Sequence, residues 1–219
     1  MSGILSSSIG RKFAMAISAL FLMIFLLQHF AINILSVFSP NTFNEVSHFM
    51  GTFWVIQYAL QPVLIFGVVF HFIMGFILEY INRKSRDTSY VSFKGSSNSN
   101  WLSRNMIYSG IVILSFLGLH FYDFWIPEIN YKYFEVLPLN QERYYEELVH
   151  KFESPVRTII YSISFVFLSL HLYHGFSSSF QSIGFNNKYS SALKIFANGF
   201  SIIIPLGFIF IAIFHHLKV

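Results

Sequence analysis

The sequence predicts an all-α membrane protein: five transmembrane helices in a bundle, as a single domain over residues 1–219. Three observations carry that prediction. Only 11% of the residues are charged against 54% hydrophobic, and mean hydropathy is +0.57. Soluble domains carry about 25% charged residues, so too little polar surface is left for a soluble globule. Next, five runs reach the roughly 20 mostly apolar residues that a helix needs to cross hydrocarbon. Finally, basic residues gather in alternate connections and glutamates in another.

The runs cover about 13–38, 53–81, 106–126, 155–180 and 192–217. Arg11-Lys12 lead directly into the first, with no small-residue cleavage site behind it, so that run is expected to remain as a span. The second and fifth contain Pro62 and Pro205, which membrane helices tolerate better than soluble ones. The fourth begins at Pro155, where a missing N–H has no helical partner to lose. Ser39-Pro40-Asn41 opens a short first loop.

The second connection holds Arg83, Lys84, Arg86, Lys94 and Arg104, and the fourth holds Lys188 with Lys194 beyond it. The first has no Lys or Arg. The third, 127–154, carries Glu128, Glu135, Glu142, Glu146, Glu147 and Glu153. Cytoplasmic segments hold the excess of Lys and Arg, so the N-terminus is predicted to be cytoplasmic and the C-terminus outside. The chain has no cysteine, which excludes disulfides, thiolate metal sites, thioether-linked haem and iron–sulfur clusters ligated by this chain.

Four of the apolar runs contain a histidine: His29, His71, His120 and His171. Depth follows from the helical rise of about 1.5 Å per residue. His29 lies about 25 Å beyond Lys12 and His120 about 24 Å beyond Arg104, both toward the outer face. His71 precedes Arg83 by about 18 Å and His171 precedes Gln181 by about 15 Å, both toward the cytoplasmic face. The four therefore sort into two pairs at two levels, each drawn from two helices. Six-coordinate haem iron takes two imidazoles on opposite faces of one ring, from facing helices at one level. Two stacked b-type haems between helices one to four match that arrangement.

A lone histidine in a span hydrogen-bonds between helices as readily as it ligates a metal. Four matched in depth and direction favour function, because ionisable groups inside a membrane are costly. Gly75 and Gly175 each follow their histidine by four residues and share its helix face, where a bare backbone would admit a porphyrin edge. His174 competes with His171, and the bland reading of it as a helix-contact residue is preferred. His48, His150, His215 and His216 lie at or near the outer boundary.

Gln28-His29, His71 with Gly75, Leu119-His120-Phe121 and His171 with Gly175 resemble the five-helix, dihaem cytochrome b subunit of succinate:quinone oxidoreductases. The resemblance spans nearly the whole chain. It implies that His29 and His120 are axial ligands of an outer haem b, and His71 and His171 of an inner one. It implies a flavoprotein subunit and an iron–sulfur subunit as partners, with this chain as the quinone-reactive membrane anchor of the enzyme. It also implies residence in a bacterial cytoplasmic membrane, with quinone of the menaquinone type as substrate. Some fumarate reductases of this kind carry a glutamate two residues before the fourth ligand; here that position is Ser169. Quinone chemistry needs protons beside the outer haem, and Asn33, Glu45, His48 and Asp123 are the candidates. The alternatives are a cytochrome b anchor of a hydrogenase or formate dehydrogenase, and a haem-free transporter that uses its histidines.

Overall fold

The computed structural model describes residues 7–84, 106–185 and 189–218, and all regular structure among them is helical. Five rods are long and apolar enough to cross a membrane: Ser8–Phe38, Ile56–Lys84, Met106–Phe134, Pro155–Ser182 and Ser190–Lys218. Arg86, Lys94, Arg104 and Lys188, on which much of the expected orientation rests, lie outside the described residues.

The first rod is α1 (Ser8–Asn33), extended by the single turn α2 (Leu35–Phe38). Ser7 caps it, its hydroxyl accepting from the Gly10 N–H at 2.9 Å. The expected first loop is itself a helix, α3 (Pro40–Thr52). Ser39 is its N-cap and Pro40 occupies its first turn, so the Ser-Pro pair that reads as a turn is a helix start.

The second rod enters through a π turn at Ile56–Leu60 and continues as α4 (Gln61–Lys84). The third is α5 (Met106–His120), a π turn at Phe121–Trp125, α6 (Ile126–Ile129) and a second π turn at Asn130–Phe134. It runs past the expected end near residue 126. Pro127 stands at the second residue of α6, directly after the π turn, and the rod continues through it. The amphipathic α7 (Arg143–Phe152) precedes α8 (Pro155–Ser182), and α9 (Ser190–Lys218) completes the chain.

Four rods form a ring. α1 packs on α4 and α8, and α5 packs on the same two, so α1 faces α5 and α4 faces α8 across the two diagonals. α9 lies outside the ring, mainly along α8 and also against α1 and α7. Apolar helices gain nothing hydrophobic from one another in lipid, so close packing between small residues decides where they meet. Ala197, Ala212 and Ser201 of α9 are wholly buried. At Gly207 a Cβ would overlap the Phe30 ring, so a hydrogen is the only side chain that fits beside α1. Phe165, Leu172, Phe176, Phe200, Ile204 and Phe208 fill the α8–α9 seam.

The end of the bundle holding Arg11, Lys12, Arg83 and Lys84 is its basic end; α3 and α7 cover the opposite, capped end. Polar contacts tie the cap together. The Arg143 guanidinium lies 4.1 Å from the Tyr131 ring centroid and 4.4 Å from that of Tyr144. It pairs with Glu147 at 2.6 Å and with Glu128, which also pairs with Lys132. Burial would lower the Arg143 pKa, but these two carboxylates outweigh it and hold the group above its ordinary value. Burial, with Glu128 nearby, lifts the Tyr144 phenol to about 12.

Glu142, the N-cap of α7, makes no side-chain cap bond. Asn44 of α3 supplies one from outside: its Oδ1 accepts from the Tyr145 N–H at 2.8 Å and its Nδ2 donates to the Glu142 carbonyl at 2.9 Å. Buried Asn44 thus closes α3 onto α7. Replacing it with alanine strands both backbone groups and should cost about 2 kcal/mol. Thermal unfolding in detergent should show a lowered midpoint for Asn44→Ala; an unchanged midpoint would remove the clamp from this account.

Candidate functional site

The four span histidines turn into the ring and meet across its diagonals. His29 of α1 and His120 of α5 have ring centroids 5.8 Å apart with their planes at 86°. His71 of α4 and His171 of α8 have centroids 6.4 Å apart with planes at 69°. The first pair is near the capped end and the second near the basic end. His174 is half-buried, and the ring that meets His71 is that of His171.

Each level is held differently. Near the basic end, hydroxyls do the work. Ser18 donates to the Met15 carbonyl at 2.8 Å, and its oxygen lies 3.1 Å from His71 Nδ1. Ser109 donates to the Met106 carbonyl at 2.8 Å, and its oxygen lies 3.1 Å from His171 Nδ1. Near the capped end, phenylalanines stack on the imidazoles. Phe25 covers His29 at 5.4 Å and Phe116 covers His120 at 5.8 Å. Among the described residues, His120 Nδ1 is buried without a hydrogen-bond partner.

The expected proton groups separate. Asn33 donates to the His29 carbonyl at 2.8 Å, so it stays one turn from that ring. Asp123 is buried beside the same level. Its Oδ2 accepts from the Tyr161 hydroxyl at 2.8 Å and its Oδ1 pairs with Arg157 at 2.7 Å. Tyr161 reaches back to His120, with ring centroids 6.3 Å apart. His48 and Glu45 are on α3 in the cap. The His48 ring lies 6.2 Å from that of Tyr144, and Glu45 is exposed.

Gly75 and Gly175 face a methionine each. A Cβ on Gly75 would lie 3.7 Å from Met15 Cε, and one on Gly175 3.1 Å from Met106 Cε. The bare backbone at these glycines therefore receives a thioether methyl from the neighbouring helix. Ser169 donates to the Ser201 carbonyl at 2.7 Å and ties α8 to α9.

Sequence reasoning missed Ser18, Ser109, Arg157 and Tyr161. It also missed wholly buried His215, whose Nε2 meets Ser36 Oγ at 2.9 Å and joins α9 to the turn after α1. One signal was available for the serines. Met15, Ser18, Phe25 and His29 stand three, seven and four residues apart, and Met106, Ser109, Phe116 and His120 repeat that spacing.

No family model, curated protein or solved structure matches the chain.

Asp123 is buried and holds both the partly exposed Arg157 and the Tyr161 hydroxyl, so its removal leaves both groups without that partner. Asp123→Ala should destabilise by about 1–3 kcal/mol. The double variant Asp123→Ala with Arg157→Met should lose clearly less, measured as a double-mutant cycle on thermal unfolding. Additive losses would show that the two groups do not act as a pair.

Proposed function

We propose that this chain is the membrane anchor and electron-carrying subunit of a succinate:quinone oxidoreductase, and that it holds two b haems. His71 and His171 would ligate one near the basic end, His29 and His120 the other near the capped end. The observation that carries this reading is the meeting of two histidine pairs across both diagonals of one four-helix ring. Two imidazole nitrogens that each lie about 2 Å from one metal put their ring centroids about 6 Å apart. The separations of 5.8 and 6.4 Å fit that requirement.

The donor chemistry fits as well. Neutral imidazoles with one nitrogen free are haem ligands, and the hydroxyls at His71 and His171 leave Nε2 as the free one. Ser18 and His29 are eleven residues apart on one helix, which puts the two levels about 16 Å apart. Bound at these levels, the haems supply one-electron carriers between an iron–sulfur partner and membrane quinone.

In this reading the basic end is cytoplasmic and meets the iron–sulfur and flavoprotein subunits, in a bacterial cytoplasmic membrane. Quinone reacts near the capped end. Asn33 and Asp123 lie beside the His29–His120 level, while Glu45 and His48 stand in the cap between that level and water. Of the two carboxylates, Glu45 is the one without an ion pair among the described residues, which suits proton exchange with the aqueous phase. Asp123 holds Arg157 and Tyr161 in place.

Two measurements test the reading. In membranes that contain the whole complex, His71→Ala and His29→Ala should each remove one of two haems from the reduced-minus-oxidised spectrum. Both haems surviving either substitution would contradict the ligand assignment, and a haem-free wild type would favour a transporter. The wild-type complex should oxidise succinate; hydrogen or formate as the donor instead would assign the anchor to another dehydrogenase. Separately, Glu45→Gln should slow quinone-linked succinate oxidation by about 100-fold, the scale of a lost proton-transfer group. Its dye-linked oxidation should be unchanged. Equal loss of both rates would reject Glu45 as a quinone-side group.

A further inference from the structure

We propose that Ser18 and Ser109 are positioning residues for the histidine pair near the basic end, each presenting its partner's Nε2 to the centre of the ring. The proposal rests on the haem reading of that pair. A serine hydroxyl has one proton, and in both residues the carbonyl three residues back, at 2.8 Å, is placed to take it. The same oxygen lies 3.1 Å from an imidazole Nδ1, so it accepts from an Nδ1–H. Nδ1 holds the proton, and Nε2 keeps its lone pair for whatever lies between the rings.

The arrangement occurs twice, on unrelated stretches of the chain. Both serines are 8% exposed, and both reach a histidine on the next rod rather than their own. Each stands three residues after a methionine whose methyl group meets the glycine four residues beyond that histidine. Met15-Ser18 embraces His71-Gly75 as Met106-Ser109 embraces His171-Gly175. The two helical hairpins of the ring are thus built to one local plan, and the serine is the polar element of it. A serine serving only its own helix would need no histidine at the same place in both copies.

Among the described residues the other histidine pair lacks this device: stacked phenylalanines cover its rings and His120 Nδ1 has no partner. That asymmetry makes the proposal selective. A hydrogen bond from Nδ1–H gives an imidazole more anionic character and makes it a stronger donor to ferric iron. Losing the bond should therefore raise the potential of one haem only. It also frees the ring to turn, which changes the 69° angle between the His71 and His171 planes and with it the anisotropy of the low-spin signal.

Ser18→Ala and Ser109→Ala each remove one oxygen and leave the packing otherwise intact. The whole complex in membranes would be examined by redox titration and by low-temperature electron paramagnetic resonance. Each alanine variant should shift one of the two low-spin signals and raise the midpoint potential of the same haem. Ser18→Thr and Ser109→Thr, which keep the hydroxyl, should restore both. Two wild-type signals that neither alanine variant moves would overturn this proposal and leave the haem reading standing. So would equal shifts of both haems. A wild-type complex without haem would overturn the haem reading, and this proposal with it.

Discussion

An imidazole placed among hydrocarbon has to be accommodated, and the bundle does this four times: with a serine oxygen at His71 and His171, and with a stacked phenylalanine at His29 and His120. Each imidazole turns inward and meets the ring of a histidine on another rod. A ring of four helices in which α1 faces α5 and α4 faces α8 brings the histidines together in opposite pairs. Neighbouring rods supply the serines for one level, and the histidine-bearing rods their own phenylalanines for the other. The fifth helix stays outside the ring and braces α8 and α1 through small residues and a phenylalanine-filled seam.

The two halves of the ring share a plan. α1 with α4, and α5 with α8, each pair a methionine with a glycine and a serine with a histidine. They differ where the ends differ. The third rod continues through two π turns that carry Asp123 to Tyr161 and Arg157, and bring Glu128 and Lys132 under the cap. Asp123 has no equivalent charge on α1, where Ile32 occupies the matching position. The repeat therefore describes the histidine levels, and the capped end departs from it.

Much of the architecture was legible in the sequence, for a simple reason. Span existence depends on summed hydropathy, and residue depth depends on counting at a fixed rise, so neither needs a side-chain direction. That was enough to group His29 with His120 and His71 with His171, the groups whose rings meet in the structure. What could not be read depends on helix rotation or on distant contacts. Ser18 and Ser109 look like ordinary small residues until the neighbouring rod brings an imidazole to them. Asn44 caps a helix roughly a hundred residues away, a contact with no local trace. Ser39-Pro40 is ambiguous between a turn and a helix start, and the packing of α3 under α7 decides it. The apolar run gives out after Ile126, and hydropathy does not show that Glu128, Asn130 and Lys132 continue the same rod, so the third rod seemed to end there.

The central claim is that one iron lies between each histidine pair. Anomalous scattering from crystals of the complex, recorded on either side of the iron edge, tests it most directly. This account predicts two iron peaks within the ring, one between His29 and His120 and one between His71 and His171, about 16 Å apart by helical rise. A ring with no iron peak, or with iron bound away from these four imidazoles, would contradict it.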